Sequence, residues 1–327
     1  MISQKAAIVC SVIFLLGLVV GLVIPIDILP PKIVTFKEQR NRQSFRFINP
    51  LLDCESADLS RDRNLDPLKN KIDHLISSEI DQKDIEFASV YYRDLDNGPW
   101  FGINQDELFS PSSLIKVPLM IAYFKLAQED PALLQKQLTN TEIFDPKNQN
   151  IQPQQHLEVN QSYTVDDLIY RMIVYSDNLA YDLLLNNIDN NLVYKVYSDM
   201  GIDISAAATD PNGNIISVKS YASFFRMLFN SSYLDNDMSE KALKILSNSQ
   251  FKDGLIAGVP DGVAIAHKFG ERQYLATGQK QLHDCGIVYP ASARPYLICV
   301  MTRGQDFTKM EDSIKEISAS VYNEVGR

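Results

Sequence analysis

Histidine, cysteine and tryptophan are scarce in this chain of 327 residues, with four, four and one respectively. The histidines (His74, His156, His267 and His283) are scattered without metal-ligand spacing, so no zinc centre or other metal site is expected. Four cysteines in a chain this long are too few for a disulfide scaffold. Also missing are Gly-x-Ser-x-Gly, Gly-x-Gly-x-x-Gly, a phosphate-binding Gly-Lys-Ser/Thr loop and His-Glu-x-x-His. An enzymatic nucleophile here therefore needs a base other than the usual ones. Positive charge is short as well, with 31 Lys+Arg against 41 Asp+Glu. The first fifty residues hold Lys5, Lys32, Lys37, Arg40, Arg42 and Arg46 against Asp27 and Glu38, a balance of +4. The overall charge of −10 thus leaves −14 on residues 51–327. Such a surface repels phosphate backbones and excludes nucleic acid as a partner. An apolar content of 45% with ordinary Gly and Pro counts excludes disordered and collagen-like classes.

What is present begins with residues 6–24, nineteen positions without a charge, long enough to cross a hydrocarbon core. A cleaved signal would show a shorter apolar region and small residues before the cut, whereas Pro25, Ile26, Asp27 and Ile28 follow here. We read residues 1–29 as an uncleaved transmembrane anchor in contact with the lipid bilayer, and 30–62 as a juxtamembrane tether. Gly17 and Gly21 form a small-xxx-small pair of the kind that lets two such helices dimerise, although a lipid-facing helix is the default. Orientation stays open on charge alone. Lys5 stands against five basic residues beyond the span, and a strict positive-inside count puts the body in the cytoplasm.

Residues 63–327 read as the folded body. Helical spacing of Leu68, Ile72, Leu75 and Ile76 predicts a helix over 67–80, with His74 at its surface. Strand-like runs at 85–92 and 100–103 flank Asn97-Gly98, a strong hairpin signal. From 114 to about 230 the pattern turns helical, with Leu114, Val117, Ile121 and Phe124 on one face and a capping box at Thr164 and Asp167 opening a helix over 165–174. Further helices are predicted over 179–186 and 218–229. The last quarter returns to strands at 263–269, 285–289 and 296–302, then a helix over 309–325. Strands at both ends around central helices imply a sheet built from distant parts of the chain.

A lysine can serve as the base when burial and a neighbouring cation lower its pKa, so that its neutral amine takes a serine proton. This needs Ser at the first turn of a helix and Lys three residues on, as in Ser113-Leu114-Ile115-Lys116. The Ser113 amide, at a helix N-terminus, is also an oxyanion donor candidate. Ser249-Gln250-Phe251-Lys252 matches the spacing too, so the pattern alone is weak. Its company raises it. Ser176-Asp177-Asn178 follows between two predicted helices, and Lys268-Phe269-Gly270 ends a predicted strand.

The order Ser-x-x-Lys, Ser-Asp-Asn, Lys-x-Gly resembles the penicillin-recognising serine hydrolases, most closely the class A β-lactamase-like group, and the likeness runs over about residues 66–327. It implies an α/β (α+β) fold of β-lactamase/transpeptidase type: an antiparallel sheet flanked by helices, beside an all-helical subdomain at about 114–230. It implies catalytic roles for Ser113 as nucleophile, Lys116 as base, Ser176 as proton shuttle and Asn178 as holder of the substrate amide oxygen. Lys268 and Gly270 would bind substrate, and the amides of Ser113 and Glu271 would form the oxyanion hole; no cofactor is implied. The implied partners are a β-lactam or a cell-wall peptide, hydrolysed with fast turnover, released slowly as by a D-alanyl-D-alanine peptidase-like protein, or bound by a non-catalytic sensor. Substrates of this family lie outside the cytoplasmic membrane, so the resemblance implies a single-pass membrane protein with an extracytoplasmic body. Two positions depart from the pattern. Phe269 stands where the family has a hydroxyl, and no glutamate lies between Glu158 and Glu240, where class A enzymes carry their deacylation base. Asp203 and Asp210 are the local substitutes. Cys285 and Cys299 on consecutive strands are expected as buried thiols.

Overall fold

The computed structural model describes residues 45–50, 65–96, 98–205, 210 and 212–326. The predicted anchor at 6–24, its Gly17/Gly21 pair and most of the tether lie outside the described residues. Among the described residues no helix is long and apolar enough to cross a membrane.

Five antiparallel strands form the main sheet in the order β2-β1-β7-β6-β5: β1 (Phe87–Asp94), β2 (Trp100–Ile103), β5 (Ala264–Gln273), β6 (Lys280–Tyr289) and β7 (Tyr296–Gly304). Strands β1 and β2 pair antiparallel as the hairpin signal predicts, with Arg93 opposite Trp100. The sheet joins the two ends of the chain, since β1 pairs β7. Strands β5 to β7 extend beyond the predicted limits, because pairing over ten residues of β5 and β6 carries both past their apolar cores.

Period-two alternation sorts each strand between two cores. On β7, Tyr296, Ile298 and Val300 face a layer made by α1 (Asp66–Asp81) and α8 (Phe307–Val325), with Ile72, Ile76, Ile314, Ile317 and Val321. Leu297, Cys299 and Met301 face the opposite, helical side. There α2 (Lys116–Ala127) is central and buried nearly all round, not on the single face its spacing predicts, because neighbouring helices cover it. Around it pack α3 (Val165–Val174), α4 (Asn178–Leu185), α5 (Asn190–Asp199), α6 (Val218–Asn230) and α7 (Asn236–Leu246). Thr164 caps α3 by accepting from the Asp167 amide at 3.1 Å, as the capping box predicts. Helices α5 and α7 are additions to the sequence reading, and α7 takes the helical part past residue 230. A two-stranded ribbon of β3 (Gln137–Thr139) and β4 (Ser162–Thr164) edges it.

Two expectations change. Cys285 and Cys299 are joined in a disulfide and are not free thiols: the β6–β7 register sets them directly opposite on one face, with Cα atoms 4.0 Å apart. Within the expected tether, residues 45–50 are docked on the body. Phe47 and Ile48 are buried, and the Glu240 carboxylate accepts from the amides of Arg46 (2.9 Å), Phe47 (2.8 Å) and Ile48 (3.0 Å).

Candidate active site

Residues Ser112–Ile115 form a 3₁₀ turn that runs directly into α2, whose first residue is Lys116. Side chains three apart eclipse in a 3₁₀ turn, so Ser113 and Lys116 share one side. Both line a cleft of about 780 Å³ with Asn178 and Glu271. Ser112, just before Ser113, has φ of +49°, and Ser176 has +56°. Non-glycine residues in this region carry local strain, of order 1–3 kcal/mol, here at both motifs.

The turn is held from below by residues the sequence reading did not single out. The Ser110 amide donates to Gln281 Oε1 (3.0 Å), Arg272 Nη1 donates to Ser110 Oγ (2.9 Å), and His283 Nε2 donates to the Ser110 carbonyl (3.0 Å). Burial pushes the His283 imidazole down to about 3, so it stays neutral and serves as a fixed donor. Gly270 supplies the close approach from β5. A Cβ there would stand 3.0 Å from the Pro111 carbonyl oxygen and 3.1 Å from Leu114 Cγ, so only glycine lets the strand lie against the turn unshifted.

Lys116 is buried, and its Nζ donates to Asn178 Oδ1 (2.7 Å), the Ser176 carbonyl (2.7 Å) and Ser176 Oγ (3.2 Å). Lys268 Nζ, also buried, donates to Ser176 Oγ (2.9 Å) and the Phe269 carbonyl (2.9 Å). Ser176 Oγ thus accepts from both lysines, and its own proton is left for a third partner. Burial lowers Lys116 to about 7, against the opposing fields of Asp177, Asp182 and Glu271. Burial lowers Lys268 well below the ordinary lysine value, and the Lys116 charge adds to that effect. Asp177 organises the second motif: its carboxylate accepts from the amides of Leu179 (2.9 Å) and Leu157 (3.0 Å), capping α4. Gln149 steadies it further by donating to the Ser176 carbonyl at 3.0 Å.

The structure therefore brings Ser113, Lys116, Ser176, Asn178, Lys268, Gly270 and Glu271 to one place. The second Ser-x-x-Lys match does not join them: Ser249 is buried, and Lys252 Nζ donates to its carbonyl at 2.7 Å. Phe269 is buried and stacked on Phe251 with ring centroids 4.3 Å apart, and Lys268 Nζ lies 4.1 Å from its ring centroid. An aromatic face thus meets the ammonium at the departing position. Asp203 and Asp210 are committed to turns, accepting from the amides of Ser205 (2.8 Å) and Asn212 (2.7 Å). Neither lines the cleft. The carboxylates that do are Asp145, Asp182 and Glu271.

The comparisons with known proteins agree with this fold. PBP-A superposes with a TM-score of 0.65 at 22% identity, over 80% of this chain and 96% of its own. A leucine-to-glutamate mutant of PBP-A, solved as an acyl-enzyme complex with penicillin G, gives 0.64 at 23% identity, over 80% and 97%. A class A β-lactamase from Mycobacterium abscessus gives 0.64 at 21% identity, over 77% and 97%. At these identities the likeness establishes the fold. No curated protein matches the chain. A model of the β-lactamase enzyme family matches residues 67–325, from α1 to the end of α8, and the chain therefore belongs to that family.

Proposed function

We propose that the protein is a serine hydrolase that forms an acyl-enzyme on Ser113 with β-lactams or related cyclic or peptidic amides. The observation that carries this reading is the buried relay Lys116–Ser176–Lys268, two lysines sharing one serine hydroxyl beside a cleft that Ser113 lines. Lys116 in its neutral form gives up one of its three hydrogen bonds and takes the Ser113 proton as Oγ attacks the substrate carbonyl. The amides of Ser113 and Glu271 stabilise the oxyanion; β5 is an edge strand of the sheet, which leaves alternate amides unpaired. The C–N bond then breaks, and the proton passes from Lys116 through Ser176 Oγ to the leaving nitrogen. Asn178 holds the substrate amide and keeps Lys116 in line. Arg272 lines the cleft and attracts a substrate carboxylate, while Lys268, buried behind Ser176, adds its field where the family hydroxyl is replaced by Phe269.

Release of the acyl group by water is where the reading divides. The commitment of Asp203 and Asp210 to turns favours slow deacylation, as in a penicillin-binding D,D-peptidase, over rapid β-lactamase turnover. A chromogenic cephalosporin assay combined with intact mass of penicillin-treated protein separates the two. A persistent adduct with one turnover of colour supports slow release, steady colour supports hydrolysis, and neither adduct nor colour rejects both.

We further propose that residues 6–24 anchor the chain in the cell membrane in a single pass, with residues 65–326 outside the cytoplasm. The uncharged run supports the anchor, and the Cys285–Cys299 disulfide supports an oxidising compartment. Impermeant thiol labelling of a surface cysteine introduced into α8 tests this in intact cells: labelling is expected, and protection until lysis would reverse the orientation.

A further inference from the structure

Two segments distant in the chain are joined at the cleft. Asn150, in the loop before β4, and Glu271, on β5, both line it. The Glu271 carboxylate accepts at one oxygen from the amides of Asn150 (2.8 Å) and Ile151 (3.4 Å), and at the other from Asn150 Nδ2 (2.7 Å). Donors on a carboxylate make charge-assisted bonds, stronger than neutral ones, yet these are solvent-exposed and can open. Glu271 is also the residue whose amide is assigned to the oxyanion hole, so an acyl group seated at Ser113 lies directly beside the contact. The same cleft is lined by two strongly exposed apolar side chains, Ile143 (79%) and Leu275 (91%). These are surfaces that a bulky apolar substituent would cover once the contact opens.

We infer that Glu271 and Asn150 form a clasp that filters substrates by the size of the group attached to the reacting carbonyl. A compact substituent fits beneath the closed clasp, and a branched aromatic one requires it to open. This rests on the proposed acylation of Ser113. The test compares acylation rate constants, followed by intact mass, for a penicillin with a compact side chain and one with a bulky, branched side chain. In Glu271→Ala the ratio of the bulky to the compact rate constant should rise by about tenfold, the scale of one charge-assisted bond, since solvent weakens the exposed set. Asn150→Ala, which removes only the Nδ2 arm, should give a smaller rise in the same direction. Should Glu271→Ala fail to fold, Asn150→Ala alone decides. An unchanged ratio with adduct still formed overturns the clasp and leaves acylation standing. Absence of adduct from the wild-type protein with either penicillin overturns both.

Discussion

At Lys116 the chemistry depends on a contest that burial wins. Desolvation pulls the amine down to about 7, while Asp177, Asp182 and Glu271 hold it from falling further. Below that value the ammonium has no lone pair with which to take the Ser113 proton. Acylation should therefore rise with pH through about 7 and then level off, as read from adduct formation between pH 5 and 9. A flat profile would assign the base elsewhere. The same shift destabilises the fold below about pH 7 and relaxes towards 10.5, because the unfolded lysine keeps its proton over that window. Gly270 offers a steric test of the same site. In Gly270→Ala the new Cβ meets the Pro111 carbonyl at 3.0 Å and the Leu114 amide nitrogen at 3.2 Å, so the nucleophile turn must move. The contacts call for a shift of only a few tenths of an ångström, short of the 1 Å that costs roughly 10²-fold in rate. Acylation should fall by less than that factor while the folded state survives in a thermal melt.

Between elements, α1 and α8 meet across a strip of acidic side chains. Burial, reinforced by Glu316, Asp84 and Asp312, raises the Glu79 carboxyl to about 7, while Ser313 opposes the rise. The unfolded chain loses this proton at an ordinary carboxylate pKa and the folded chain holds it longer, so stability falls as pH climbs from about 4.5 through 7. Glu79→Gln should raise the melting temperature at pH 8 and leave it unchanged at pH 4; equal shifts at both would refute the assignment. The docked segment makes a second test. Glu240→Ala removes the acceptor of the Arg46, Phe47 and Ile48 amides, and these should then exchange hydrogen for deuterium much faster than α7 does. The sequence shows α1, α3, α6 and α8 because each carries a regular apolar stripe or a cap. It hides the docking of Phe47 and Ile48, since two apolar residues inside a basic stretch have no period. It hides the disulfide too, because Cys285 and Cys299 become partners only through the β6–β7 register.

For the molecule as a whole, the three motifs are legible in sequence because the proposed chemistry needs a nucleophile, a base and a second cation in fixed local settings. What surrounds them is not. His283, Gln281 and Gln149 reach the motifs through long-range contacts that leave no local mark, and the Glu271–Asn150 clasp depends on how a distant loop closes on β5. Net charge is a poor guide to the site for the same reason: an acidic body buries Lys116 at its cleft and Lys268 behind it. The most direct test of the central claim is peptide mapping of the penicillin-treated protein by mass spectrometry. The expected result is one acyl adduct on the peptide bearing Ser113, lost in Ser113→Ala and retained in Ser249→Ala. An adduct that persists in Ser113→Ala, or none in the wild type, would contradict it.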